Sequence, residues 1–355
     1  MAVTQNYPGK DTMQKKESPS RIRVVVDAMG GDYAPRETIQ GAIEALSHHD
    51  IEVILVGDRE PVESELARHD TANQPVTLVA SVGKAGDDEH PMQALRHKPE
   101  ASIVVATKLL KSGRADVLVS MGSTGASMAS AVMVLGLMEG LERPCIGGPF
   151  LGLAPRTVLV DMGSNVDCRP SLLLSFGALG SVFSHEFLGV ENPRVALLSV
   201  GAEEAKGNRQ VQESYQLLRQ SHLNFVGNVE GMDFFTDRAD VILCDGFVGN
   251  ILMKFTEGLG SSLGAYLTQQ LTELLSPQES KRVISELWTV TNLPRKMGGP
   301  LFGVNGAVIL GHGSSRSDGV AGAIDTGVNY VKLGLLESMR KELVKVQRGS
   351  KLKVG

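Results

Sequence analysis

Residues 115–130, ADVLVSMGSTGASMAS, join a short apolar run to a loop of small, hydroxyl-bearing residues and then to a small-residue helical pattern. Val117-Leu118-Val119 has the unbroken apolar character of a strand buried in a parallel sheet. Met121-Gly122-Ser123-Thr124-Gly125-Ala126 follows, and 127–137 reads as a helix. That order aims free backbone N–H groups and the positive end of a helix dipole at an anion. Ser123 and Thr124 can cap the helix and also donate hydroxyls. The stretch points to a phosphate held by Gly122, Ser123, Thr124 and Gly125. An ordinary strand-to-helix turn has the same composition, so this loop alone leaves both readings open.

Three other apolar runs end on an aspartate and a glycine loop. Residues 22–26 lead into Asp27-Ala28-Met29-Gly30-Gly31-Asp32, 157–160 into Asp161-Met162-Gly163-Ser164-Asn165, and 241–244 into Asp245-Gly246-Phe247-Val248-Gly249-Asn250. Carboxylates there orient a cation, a substrate hydroxyl or a metal, or else cap their own turns. Asp27, Gly30, Gly31, Asp32, Asp161 and Asp245 are therefore substrate-binding candidates, and Asn165 a substrate-orienting one. The run 194–200 precedes Gly201-Ala202-Glu203-Glu204-Ala205-Lys206-Gly207-Asn208. A nucleotide phosphate loop needs glycine before the lysine and Ser or Thr after it, so this loop is not one; Lys206 stays as an anion contact. His312 lies between Gly311 and Gly313 at a strand-to-helix junction, not on an apolar face, a placement that suits acid–base work.

The elements that must position these residues alternate strand and helix along the chain, which argues an α/β protein with a largely parallel sheet. Loops at the carboxyl ends of such strands converge on one crevice. Near the C-terminal third, 251–275 reads as a long helix, Ser276-Pro277 breaks it, and 281–290 is amphipathic and carries Trp288. Lys281, Arg282 and Trp288 on that hairpin suit either a bilayer surface or packing on the protein itself. Residues 171–188 are apolar nearly all round, as in a core helix or one at a subunit contact. Residues 298–306 read as a loop, 307–310 as the last strand and 315–346 as one closing helix. No dinucleotide fingerprint follows the first strand, and no His/Cys metal spacing occurs, so neither metal nor cofactor is expected.

Composition narrows the class. The 355 residues suit one large catalytic domain over 21–350, single or made of two intertwined lobes, with a hairpin protruding at about 251–292. The polar segment 1–20 reads as a disordered tail and lacks the apolar stretch of a signal peptide. A net charge of −5 argues against nucleic acid as a partner. Cys145, Cys168 and Cys244 show no paired spacing and suit a reducing cytoplasm. No run of about eighteen apolar residues suggests a membrane span.

With these junctions in place, the stretches VVVDAMGGDYAP, DMGSNVDCRP, NPRVALLSVGAEEAKGN, FVGNVEGMDFF, ADVILCDGFVGN and GVNG…GHGSS give a resemblance. From about residue 22 to 315 the chain resembles the bacterial phosphate acyltransferases of phospholipid synthesis. The family's central loop is A-G-N-T-G-A; here Met121 and Ser123 stand in place of Ala and Asn, and Ser123 keeps a donor. The resemblance implies a three-layer α/β/α fold with a mixed, largely parallel sheet, similar to isopropylmalate dehydrogenase and phosphotransacetylase, and a homodimer. It implies transfer of a fatty acyl group from acyl-acyl carrier protein to inorganic phosphate, without a cofactor. It also implies a cytoplasmic enzyme peripherally associated with the inner face of the cell membrane, handing acyl phosphate to a membrane glycerol-3-phosphate acyltransferase. On that footing His312, Lys206 and Asn165 are the candidate catalytic residues. Lys281, Arg282, Trp288, Arg295 and Lys296 are the candidate contacts for the acidic carrier or the membrane. Acyl transfer from acyl-CoA, an NAD-dependent decarboxylating dehydrogenase on the same fold, and a non-catalytic membrane scaffold are the competing readings.

Overall fold

The structure is a computed structural model and describes residues 21–86, 91–271 and 274–351; the tail expected over 1–20 lies outside them. The strands are β1 (Ile22–Asp27), β2 (Ile51–Gly57), β3 (Val76–Ala80), β4 (Val117–Ser120), β5 (Cys145–Pro149), β6 (Val158–Val160), β7 (Val195–Leu198), β8 (Phe225–Val229), β9 (Val241–Leu243), β10 (Gly299–Phe302) and β11 (Ala307–Leu310). They form one sheet in the order β3-β2-β1-β4-β11-β10-β5-β6-β9-β7-β8. Pairing is parallel from β3 to β11 and again from β6 to β8. Around the centre, β10 is antiparallel to β11 and to β5, and β5 is antiparallel to β6.

Strand periodicity explains the layers. Val24 and Val26 of β1 pack with Ile39, Val320 and Ile324, whereas Val25 between them packs on the other face with Ile103 and Val104. The helices Arg36–His48 and Ser317–Lys332 therefore cover one face and Ser102–Lys111 the other. In the second half, Val158, Val160, Val241 and Leu243 meet Phe176 and Phe183 of helix Pro170–Glu186, and Leu159 and Ile242 meet Phe150 and Phe234. The result is a three-layer α/β/α arrangement. Each half is bracketed at its strand starts by the same device: Arg23 takes Asp116 through its backbone N–H at 2.8 Å and its guanidinium, and Arg194 takes Asp240 likewise at 2.8 Å.

Several elements differ from the sequence reading. Gly299–Phe302, read as loop, is strand β10, and Cys145–Pro149 is strand β5. The closing helix is two helices, Ser317–Lys332 and Leu335–Lys351, because Gly334 adopts φ +65° between them. The hairpin is longer than expected, with helices Gly246–Leu271 and Pro277–Thr291. Ser276 and Glu279 cap the second helix reciprocally. Among the described residues no helix is long and apolar enough to cross a membrane.

Candidate active site

The loops after β1, β4 and β11 meet at a cavity of about 390 Å³ with Met162 and Gly163 after β6 and the start of helix Gly246–Leu271. They can meet because β10 steps between the halves. Gly299 and Pro300 pair with β11, whereas Leu301 and Phe302 pair with β5. The two parallel halves run in opposite directions, and this offset turns both of their carboxyl ends toward one crevice.

Two of its loops are wired to each other. Asp27 is 3% exposed and stands beside Ser120 in register. The Ser120 hydroxyl donates to Asp27 Oδ2 at 2.8 Å, and Gly122 N–H donates to Ser120 Oγ at 3.1 Å. Burial pushes the Asp27 carboxyl above its ordinary pKa, and the hydroxyls of Ser102 and Ser120 oppose that rise. Ser123 Oγ accepts from Ala126 N–H and starts the helix at Thr124, earlier than the sequence suggested, so the helix runs Thr124–Val134. Gly122, Ser123 and Thr124 line the cavity with Gly30, Gly31 and Asp32. Gly125 is not among the lining residues; a Cβ there would lie 3.0 Å from Pro91. Asp32 N–H donates to Gly313 O at 2.8 Å and joins the first loop to the histidine loop.

His312 sits on the cavity wall in a chain of polar groups. Its Nε2 lies 3.0 Å from Lys254 Nζ, and its Nδ1 lies 2.7 Å from Ser314 Oγ. The Lys254 ammonium has only protons to offer Nε2, while Nδ1 accepts from the Ser314 N–H at 3.2 Å and also faces the Ser314 hydroxyl, so donors meet both ring nitrogens and the ring is held neutral. Arg295 also donates to Ser314 Oγ. Lys254 is paired at 2.9 Å with Glu257, which lies 3.7 Å from His312 Nε2. Burial, then the Lys254 charge, hold the His312 pKa below its ordinary value against the pull of Glu257.

The second half contributes differently. Asp161 is fully buried and accepts N–H bonds from Gly163 at 3.1 Å, Ser164 at 3.0 Å and Asn165 at 2.8 Å, as well as the Asn165 side chain at 2.8 Å. Asn165, 2% exposed, also donates to Pro144 O at 2.8 Å. Asp245 accepts from Val248 N–H at 2.8 Å at the start of its helix. These side chains are occupied in shaping their own loops, and none of the three lines the cavity. Lys206 is exposed on the loop after β7 and does not line it either; a Cβ at Gly201 would lie 3.0 Å from its stem.

Lys254 and Glu257 were missed in the sequence. With Asn250 they occupy positions i, i+4 and i+7 of a helix that is otherwise largely apolar, a polar stripe that the spacing shows without showing what it faces. Lys84 is a further cation on the wall. Lys281, Trp288, Arg295 and Lys296 line a separate, larger cavity of about 800 Å³ under the hairpin, and Arg282 does not.

Residues 22–338 match the family model described as "Fatty acid synthesis protein". A phosphate acyltransferase from Desulforamulus reducens is 42% identical over 328 residues, 91% of this chain and 97% of its own. One from Desulfitobacterium hafniense is 41% identical over 327 residues, 91% of this chain and 98% of its own. Among solved structures, a phosphotransacetylase from Streptococcus pyogenes superposes with a TM-score of 0.61 at 18% identity, covering 88% of this chain and 94% of its own. A branched-chain phosphotransacylase from Enterococcus faecalis gives 0.57 at 16% identity, covering 87% and 99%. The two structural likenesses concern the fold.

Proposed function

The chain belongs to the phosphate acyltransferase family, and from that premise we propose that it transfers a fatty acyl group from acyl-acyl carrier protein to inorganic phosphate, giving acyl phosphate for phospholipid synthesis. The observation that carries this reading is the Gly122–Ser123–Thr124 turn, opening a helix on the wall of a cavity that also holds Lys84, Lys254 and His312. A helix start with hydroxyls and two ammonium groups around it suits a hydrogen phosphate dianion.

Phosphate attacks the thioester carbonyl directly, so no covalent enzyme intermediate is needed. The protein orients the two substrates and stabilises the tetrahedral oxyanion with Lys254 and loop N–H groups. The acyl–oxygen bond forms as the acyl–sulfur bond breaks. The proton that phosphate loses in becoming acyl phosphate is the one the departing thiolate gains. Ser314 and His312 form the relay that carries it. The test is acyl phosphate formation from palmitoyl-acyl carrier protein, trapped with hydroxylamine. Product must depend on phosphate, and Ser123→Ala/Thr124→Ala is expected to raise the KM for phosphate about tenfold to a hundredfold. Phosphate-dependent product with an unchanged KM in the double variant would move the anion elsewhere.

A homodimer belongs to the same proposal. Helix Gly246–Leu271 leaves Phe247, Ile251, Phe255, Leu259 and Tyr266 exposed along one stripe, an apolar face of the kind that a second subunit covers. Phe255→Glu with Leu259→Glu is expected to halve the mass measured by sedimentation equilibrium; an unchanged mass removes this face from the dimer. Peripheral membrane contact rests on the hairpin end, where Leu274 is 76% exposed in the turn before the helix that carries Lys281 and Arg282. From that position the labile product would pass to the membrane glycerol-3-phosphate acyltransferase.

A further inference from the structure

The larger cavity lies between the hairpin helix Pro277–Thr291 and the segments carrying Arg295 and Ser314. It meets the phosphate cavity at one wall, because Arg295 and Ser314 line it while Ser314 touches His312, which lines the other. Its lining is amphipathic rather than oily. Ile284 and Trp288 supply apolar surface, while Lys281, Arg316 and several hydroxyls supply charge and hydrogen bonds. At its inner end Asn292 is 4% exposed. The Asn292 Nδ2 donates to Thr291 Oγ1 at 3.1 Å, but its Oδ1 is buried without a hydrogen-bond partner among the described residues. The same holds for the buried Nε of Arg295. A buried carbonyl oxygen without a donor is costly and calls for an N–H from a ligand.

We propose that this groove binds the phosphopantetheine arm of the thioester donor, with an amide N–H of the arm on Asn292 Oδ1 and its phosphate toward Lys281. The inference rests on the acyl-transfer reading and assigns the donor's path to it. An alkyl chain would leave Asn292 and Arg295 unsatisfied, whereas the arm brings amides for them, a phosphodiester for the cations and an apolar gem-dimethyl group for Trp288 and Ile284. Lys281 and Asn292 are separated along the helix by about 16 Å, a span that an extended arm can cover. The thiol end then falls at Arg295 and Ser314, beside the relay that protonates it.

The arm is common to carrier protein and coenzyme A, so free 4′-phosphopantetheine is the probe. Calorimetry is expected to show binding to the full-length protein, weakened about tenfold by Asn292→Leu. Asn292→Asp, which keeps an acceptor oxygen, is expected to restore most of it. Ser285→Trp fills the groove from its exposed side and should weaken binding without disturbing the buried end. The KM values for palmitoyl-acyl carrier protein and for palmitoyl-CoA should both rise in Asn292→Leu, and the donor with the higher kcat/KM identifies the source of the arm. Absence of 4′-phosphopantetheine binding to the unaltered protein, or an affinity in Asn292→Leu and Ser285→Trp unchanged from that of the unaltered protein, overturns the proposal. Because binding is read without turnover, an absence of acyl phosphate formation would count against the catalytic reading and leave this one standing.

Discussion

His312→Ala is expected to lower kcat about a hundredfold to a thousandfold while changing the KM for phosphate little, because in the proposed mechanism the ring moves a proton in the transition state and does not hold phosphate in the ground state. The geometry also fixes the form of the pH profile. Lys254 at 3.0 Å needs an unprotonated Nε2, so the working ring is neutral. Its pKa is lowered by burial and by the Lys254 charge. Activity should therefore persist below the ordinary histidine pKa and fall only once the ring takes a second proton. Lys254→Met removes one of the charges that depress that pKa, so the acid limb should move to higher pH, in addition to any loss of rate. A pH–rate profile of kcat/KM for both proteins checks this. An acid limb that stays in place, or moves to lower pH, would show that His312 is not the titrating group.

Gly30→Ala is expected to abolish phosphate binding at concentrations that saturate the unaltered protein. A Cβ on Gly30 would lie 2.7 Å from the backbone N of Gly122, 3.1 Å from its Cα and 2.8 Å from Asp27 Oδ2. Backbone cannot rotate away as a flexible side chain does, so the first loop and the phosphate loop must separate. That strain costs on the order of 1–3 kcal/mol, which a sheet of this size tolerates as a fold but the cradle does not tolerate as a geometry. Gly122→Ala should be milder, since its nearest neighbour is the Ser120 hydroxyl at 3.2 Å. Gly231→Ala, with nothing near the added carbon, is the control. Phosphate affinity by calorimetry and melting temperature by circular dichroism separate the outcomes. A Gly30→Ala protein that binds phosphate normally would mean that the contact between the two loops is dispensable.

The alternation of Val24, Val25 and Val26 across two helical layers follows from strand periodicity, and an unbroken apolar run of this kind is what a doubly covered sheet requires. The Gly122–Ser123–Thr124 turn was legible for a similar reason: its chemistry is local, contained in three consecutive residues and the helix that they open. His312 was legible as a loop residue between two glycines at a strand end, and the structure places it on the cavity wall. Lys254 and Glu257 were not legible as site residues, because a charged pair on a helix looks the same whether it faces solvent or a site.

What the sequence determined by itself was the set of strand-end loops, the alternation of strand and helix, and the family resemblance carried by its motifs. Which of those loops reach a common cavity was decided only by tertiary structure. Asp27, Asp161 and Asp245 all follow apolar strands before a glycine. Yet only Asp27 lines the cavity, while Asp161 and Asp245 bond to the backbone of their own loops. The difference comes from β5 and β10, two short Gly- and Pro-containing strands without the branched apolar run that marks a strand in sequence. Their propensity is weak because pairing with neighbours, not side-chain preference, makes them extended. The offset of β10 between β11 and β5 then sets how the two halves face each other, and with it which side chains line the cavity.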